Sequence, residues 1–170
     1  MIIEKKCCFT GHRPKSLPFG YNENEPACKK LKEQLMENIE RQITDNGVTH
    51  FVSGMATGVD IYAAEAVLEL KKKYPNITLE CVIPCETQAN DWSESWRDRY
   101  FDIIIRSDDA KTLQTHYSSG CMRKRNEYMV DNSDVVIAVW NGKKGGTGGT
   151  VEYALKNEKN VVIIDPNKLC

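Results

Sequence analysis

Phe51-Val52-Ser53-Gly54-Met55-Ala56-Thr57-Gly58-Val59-Asp60 reads as the end of a buried strand, a small-residue turn and the start of a helix. The helix continues through Ile61-Tyr62-Ala63-Ala64-Glu65-Ala66-Val67-Leu68. A strand that passes through glycines into a helix N-terminus leaves backbone N–H groups facing outward, where the helix dipole adds partial positive charge. Such a turn suits a phosphate or another anion, and its glycines let a ligand approach the backbone closely. Thr57 is placed to cap the helix, with Asp60 three positions on as a shorter stand-in for a capping-box glutamate. Tight strand-to-helix turns also occur where nothing binds, and this one lacks the full spacing of a Rossmann or P-loop fingerprint.

Outward from the turn, strands and helices alternate. Lys5 to Thr10 predicts a first strand, followed by a long loop from Gly11 to Asn22 with two prolines and two glycines. From Pro26, Leu31, Leu35, Ile39 and Ile43 fall on one helical face, and Asn46-Gly47 ends that helix. Val48 to Ser53 and Ile77 to Pro84 are further strands and Glu94 to Ile104 a helix, and Trp92, Trp96 and Tyr100 recur every four residues. A short strand is expected at Leu113 to Tyr117 and a helix from Met122 to Val130. Asp134 to Trp140 is a strongly apolar strand, Asn141 to Gly149 a glycine-rich loop, Thr150 to Asn157 a helix and Val161 to Ile164 the last strand. Strands apolar on both faces and alternating with helices indicate an α/β fold, a Rossmann-like, doubly wound, mostly parallel sheet with helices on both faces.

Composition bounds the rest. The length of 170 residues predicts one domain spanning 1–170, and 41% hydrophobic residues suffice for a core. Charge is balanced, with 23 Lys plus Arg against 24 Asp plus Glu, so the general basic excess of a nucleic-acid-gripping protein is absent. Seven cysteines form no CxxC pair and no zinc spacing, and no metal site is expected. Cys7, Cys8 and Cys81 lie in apolar runs, while Cys85 and Cys121 lie nearer loops. The N-terminus lacks a signal peptide's apolar region and no stretch approaches membrane-spanning length. A soluble protein of a reducing cytoplasm, with no membrane partner, is the expectation.

Ligands of doubly wound sheets bind beyond the carboxyl ends of the strands. The suggestive residues stand at such ends: Thr10, Gly11, His12 and Arg13; then Ser53, Gly54, Met55 and Ala56; then Gly145, Gly146, Thr147, Gly148, Gly149 and Thr150. Thr147 and Thr150 offer hydroxyls, and the N–H groups around Gly148 to Val151 a second anion cradle. Arg13, Arg125, Lys143 and Lys144 surround them, whereas Arg123 and Lys124 read as solvated surface. His12 is placed to contact a ligand or move a proton, though an ordinary exposed histidine fits equally. Trp92 either stacks on a base or belongs to the core with Trp96 and Tyr100. Glu65 and Glu152 lie on the helices that begin at the two turns.

These motifs together resemble the YpsA-like family, a branch of the SLOG superfamily. The resemblance rests on Phe9-Thr10-Gly11-His12-Arg13-Pro14, Ser53 to Asp60, Ala64 to Leu70, Arg125-Asn126-Glu127-Tyr128 through Asp134, and Gly145-Gly146-Thr147 with Thr150-Val151-Glu152-Tyr153-Ala154. It covers essentially the whole chain in order and implies a Rossmann-like domain that binds a nucleotide-type ligand, with NAD or ADP-ribose as candidates. The implied site holds the phosphates between Ser53 to Gly58 and Gly145 to Thr150. Thr10 to Arg13 line its side, Arg125 and Asn126 reach phosphate or ribose, and Asp60 or Glu65 holds ribose hydroxyls.

Two related families imply other functions. LOG-type phosphoribohydrolases cleave a nucleoside 5′-monophosphate at its N-glycosidic bond, and their Met-x-x-Arg-x-x-x-Met segment is similar to Met122, Arg125 and Met129. The likeness makes Arg125 their catalytic arginine. Their glutamate aligns with Tyr153 here, with Glu152 one residue early and therefore turned by about 100°. The DNA-processing protein A family, which binds single-stranded DNA, has a turn similar to Ser53 to Asp60. The neutral charge balance ranks nucleic acid third. The sequence reading is thus a nucleotide-binding sensor or regulator, with glycosidic hydrolysis as the alternative and a homodimer paired through helices left open.

Overall fold

A computed structural model describes residues 3–169 of the chain. Six strands alternate with five α-helices: β1 (Lys5–Gly11), α1 (Pro26–Asn46), β2 (Val48–Ser53), α2 (Val59–Lys71), β3 (Thr78–Ile83), α3 (Glu94–Arg106), β4 (Asp109–Thr112), α4 (Cys121–Asp131), β5 (Val135–Val139), α5 (Gly146–Lys156) and β6 (Asn160–Ile164). All the pairings are parallel, and the strand order is β4-β3-β2-β1-β5-β6. The chain steps outward from β1 to β4, then returns through α4 to lay β5 on the other side of β1. This is a Rossmann-like doubly wound sheet, and its order reverses between β1 and β5.

Period-two alternation divides the core. Cys7, Phe9, Phe51, Leu79 and Ile137 face a layer formed by α1, α2 and α3, where Leu31, Leu35 and Ile39 of α1 are fully buried. Cys8, Val52, Val82 and Val136 face the opposite way, toward Met129 and Val130 of α4 and Ala154 of α5. The Phe9 and Phe51 rings stack across the β1–β2 pair with centroids 6.1 Å apart. Burial on both faces explains why these strands read as continuous apolar runs. All six cysteines among the described residues are free and buried, Cys85 and Cys121 included. No described helix is long and apolar enough to cross a membrane.

Three local expectations are corrected. The edge strand is Asp109–Thr112 rather than Leu113 to Tyr117, and all four of its residues are exposed. Its place is set by backbone pairing with β3 and by Asp108, whose carboxylate accepts the Leu79 N–H at 2.9 Å. Leu113 packs instead against the α4-side core. Helix α5 begins at Gly146, not Thr150, so the glycine-rich stretch forms its first turn. Gly148 is needed there because a Cβ would stand 2.8 Å from the Lys143 carbonyl oxygen. At α2 the N-cap is Gly58, and no side chain caps it, so Thr57 does not have that role.

Glycine also lets the end of β1 meet the start of α2. A Cβ on Gly11 would lie 2.4 Å from the Val59 side chain. Gly58 has φ +87°, and a Cβ there would lie 2.7 Å from the His12 carbonyl oxygen, which accepts the Val59 N–H at 3.3 Å. Gly58→Ala is therefore expected to cost roughly 2–4 kcal/mol in denaturant unfolding, through backbone strain and collision together. Gly142→Ala, also at positive φ but in open space, is expected to cost about 1 kcal/mol, the strain alone.

Candidate functional site

The reversal between β1 and β5 opens a cavity of about 390 Å³ at the carboxyl ends of the strands. One wall is Thr10, Gly11, His12 and Arg13, which leave β1 beside β5, since Gly11 pairs with Val139. Ala56 and Asp60 enter from the turn before α2, and Gly145, Gly146 and Thr147 from the start of α5. The two small-residue turns, distant in sequence, thus border one space. Arg125 and Asn126 of α4 close it from below. A second cavity of about 700 Å³ runs between α4 and α5 and shares Met122, Asn126, Gly145 and Gly146 with the first.

Arg125 is only 3% exposed. Its Nη1 donates to the Gly54 carbonyl at 2.5 Å and to Gln88 Oε1 at 3.4 Å, and its Nε donates to Asn126 Oδ1 at 2.8 Å. All three acceptors are neutral. Among the described residues no carboxylate stands within ion-pair distance of this guanidinium. Burial pulls its pKa below the ordinary arginine value, Asp60 acts through space in the opposite direction, and Arg13 adds to the lowering. An arginine nonetheless stays charged. A buried cation held by dipoles alone is costly unless another group completes its neutralisation. The cavity lining carries Arg13, Arg125, Lys143 and Lys144 against the single carboxylate of Asp60. The space is therefore suited to an anion.

The turn before α2 is less open than its sequence suggests. Asp60 is 6% exposed, and its Oδ2 accepts the Ala56 N–H at 3.2 Å. Ser53 Oγ accepts the Met55 N–H at 3.2 Å and donates to the Asp60 carbonyl at 2.9 Å. With the Val59 N–H bound to the His12 carbonyl, much of the expected cradle is filled from within by a serine hydroxyl, a backbone carbonyl and the Asp60 carboxylate. Burial raises the Asp60 pKa, while Arg125, the Ala56 N–H and Arg13 pull it down. Met55 adopts φ +61° and is fully buried, so the strained backbone of this turn is locked by core packing.

The N-terminus of α5 is the open one. Its N-cap, Gly145, supplies no side-chain cap, and the first intrahelical bond runs from the Gly149 N–H to the Gly145 carbonyl at 2.9 Å. The preceding amides of Gly146, Thr147 and Gly148 have no partner within the helix. Gly146 and Thr147 line the cavity, so their N–H groups and the helix dipole favour an anion opposite Arg125. The anion-favouring amides therefore begin at Gly146 rather than in the expected stretch from Gly148 to Val151. Thr150 spends its hydroxyl on the Gly146 carbonyl at 2.9 Å and, with Gly149, borders the larger cavity.

His12 is half-buried, and its Nε2 accepts the Asn141 backbone N–H at 3.2 Å. An accepting nitrogen requires a neutral ring. Burial lowers its pKa below 6.5, against smaller opposing pulls from Asn141 and Asp165.

Several residues expected at the site do not line the cleft. Ser53 and Met55 are fully buried. Gly54 acts through its carbonyl, and its lack of a side chain makes room for Arg125, whose guanidinium would lie 2.6 Å from a Cβ. Gly58 packs on the His12 backbone. Glu65 pairs with Arg99 at 2.7 Å on the α3 side of α2, and Trp92 meets Tyr100 edge-on with centroids 5.3 Å apart. Glu152 borders the larger cavity beside Tyr153, whose hydroxyl donates to Asp131 at 2.7 Å. Two contributors had no sequence signal. Gln88, in a polar connector, braces Gly54 and Arg125, and Asn141 fixes His12.

A family model described as the YspA SLOG family matches residues 7–169. The uncharacterized SPbeta prophage-derived protein YoqJ of Bacillus subtilis is 34% identical over 143 residues, covering 77% of this chain and 84% of that protein. A UPF0398 protein of Brevibacillus brevis is 28% identical over 145 residues, covering 84% of this chain and 76% of its own. Among solved structures, DNA processing protein A from Helicobacter pylori matches with TM-score 0.62 at 22% identity, over 95% of this chain and 65% of that one. The same-named protein from Streptococcus pneumoniae matches with TM-score 0.63 at 20% identity, over 95% and 50%. This chain spans about half to two thirds of those two structures, and at such identities the likeness speaks for the fold.

Two outcomes follow from the site's internal contacts. Gly54→Ala drives a methyl group against the Arg125 guanidinium and is expected to cost about 1–3 kcal/mol of stability, read by denaturant unfolding. For His12 the folded pKa lies below the unfolded one. Its contribution to stability is thus full above pH 6.5 and is lost as pH falls through the lowered value. The melting-temperature difference between the wild type and His12→Gln is expected to shrink between pH 7 and pH 5.

Proposed function

We propose that this chain, which belongs to the YspA SLOG family, binds a small phosphate-bearing metabolite of the nucleotide class and works as a sensor or regulator. ADP-ribose, NAD and nucleoside monophosphates are the ligands of choice. The observation that carries this reading is the buried Arg125 guanidinium, without a carboxylate partner among the described residues, at the base of a cleft whose other cations are Arg13, Lys143 and Lys144. A phosphate between Arg125 and the first-turn amides of α5 would supply the missing negative charge, by charge-assisted hydrogen bonds on one side and dipole stabilisation on the other. The adjoining cavity between α4 and α5 has the size of a ligand site, with Tyr117, Met122 and Tyr153 as surfaces for a base.

Two other readings have specific support. Glu152 and Arg125 border the two connected cavities, an arrangement compatible with hydrolysis of an N-glycosidic bond. Solved neighbours of the same fold include a DNA processing protein A described by its single-stranded DNA binding mode. In this chain, a cationic cleft joined to a cavity edged by exposed Tyr117 offers the elements of strand binding on a small scale.

Thermal denaturation with ADP-ribose, NAD and nucleoside monophosphates separates these readings. A ligand at 100 times its Kd adds about 2.7 kcal/mol, which raises Tm by roughly 5–10 °C for a domain of this size. Arg125→Met is expected to lose roughly thirtyfold or more in affinity, which cuts the shift to about a third or less. Arg13→Ala and Lys144→Ala are expected to weaken binding about two- to tenfold, and less at high salt. Chromatography after incubation is expected to show no free base, and its appearance would favour the hydrolase. A flat thermal response to the whole panel, with retention of single-stranded DNA at physiological salt, would favour strand binding.

A further inference from the structure

The two edges of the sheet are finished differently. At one edge, β4 is short and charged, all its residues are exposed, and Asp109 Oδ1 occupies the Ala110 N–H at 3.0 Å. These features discourage a further strand. At the other edge, β6 reads Asn160-Val161-Val162-Ile163-Ile164, without a charge and β-branched after its first residue. Ile163 is 50% exposed, and Leu155, on the helix leading into the strand, is 57% exposed. No described strand pairs with the outer side of β6.

The direction of its backbone groups follows from its bonds to β5. The Asn160 N–H donates to the Asp134 carbonyl at 3.2 Å, and the Ile164 carbonyl accepts the Trp140 N–H at 2.9 Å. Even-numbered positions thus turn inward, and the N–H and C=O groups of Val161 and Ile163 point outward.

We infer that β6 is a pairing edge for a second copy of this chain, joined antiparallel about a two-fold axis at Val162. Three features favour this register, and a two-fold axis at Val161 or Ile163 would lack the third. It sets the outward groups of Val161 against those of Ile163 of the second copy, the hydrogen-bonded pairing that an antiparallel ladder requires. It sets β-branched side chains opposite one another, a favourable cross-strand pair. It also brings Lys159, just before the strand, opposite Asp165 of the second copy, whose carboxylate accepts its own Asn167 N–H at 2.9 Å and stands 3.7 Å from the exposed Lys168. Because a two-fold interface is self-complementary, each pair occurs twice. A register shifted by one residue would set outward groups against inward ones and lose the charge match. Two copies so joined form one continuous sheet, with the α5 helices on the same face and the anion clefts separate.

Sedimentation velocity across a concentration series tests the pairing. The wild type is expected to run at twice the chain mass at high concentration. Lys159→Asp and Asp165→Lys, each of which sets like charges opposite, are expected to raise the dimer Kd about tenfold, and the double reversal to restore it. Ile163→Lys, at an exposed position, is expected to give monomers with an unchanged circular dichroism spectrum. Amide exchange at Val161 and Ile163 is expected to be slow in the dimer and fast in Ile163→Lys. A wild type that is monomeric at all concentrations overturns the inference, as does a dimer that the three single substitutions leave intact.

Discussion

Arg125 carries a positive charge into a place where water scarcely reaches, and much of the neighbouring structure exists to hold it there. Moving a guanidinium out of water costs several kcal/mol, which hydrogen bonds to neutral acceptors offset only in part. The Gly54 carbonyl, Gln88 and Asn126 provide those bonds, from a strand-end turn, a connector and the arginine's own helix. Gly54 can have no side chain, because one would occupy the space of the guanidinium. Asp60 is close enough to act on the charge without forming an ion pair with it. The result is a fixed, outward-acting positive potential at the point where the sheet reverses its order. A chain with almost equal numbers of acidic and basic residues can thus hold a strongly cationic site, since net charge describes the whole surface and not one cleft.

The two small-residue turns share this cleft but serve it differently. The turn before α2 turns inward on itself: its serine and aspartate take up amides that a ligand would otherwise meet. The start of α5 keeps its amides free. Glycine accounts for both behaviours. At Gly11 and Gly58 its absence of a side chain lets β1 and α2 touch, and at Gly148 it lets a helix begin against the loop before it.

Most of the architecture was legible because it rests on local patterns. The four-residue spacing of Leu31, Leu35 and Ile39 gave α1, and the unbroken run Val135 to Val139 gave a buried parallel strand. Strand-end positions and family likeness mark Thr10 to Arg13, Ala56, Asp60, Arg125, Asn126 and Gly145 to Thr147, and these residues border the cleft. What stayed illegible depends on contacts between distant segments. Strand β4 is held by backbone pairing and has no apolar signature. The α5 start lies among glycines of low helix propensity, where packing on Lys143 overrides propensity. Glu65 lies on the expected helix but faces the α3 side, a matter of helix azimuth that proximity to a turn does not convey, and Trp92, in the connector just before α3, turns onto Tyr100. Gln88 had no motif at all, and only the fold brings it beneath Arg125.

A crystal structure with whichever of ADP-ribose, NAD or a nucleoside monophosphate stabilises the protein most is the direct test of the central claim. The account predicts a phosphate group between the Arg125 guanidinium and the Gly146 and Thr147 amides. Phosphates bound away from that cleft, with Arg125 still facing neutral acceptors alone, would contradict it.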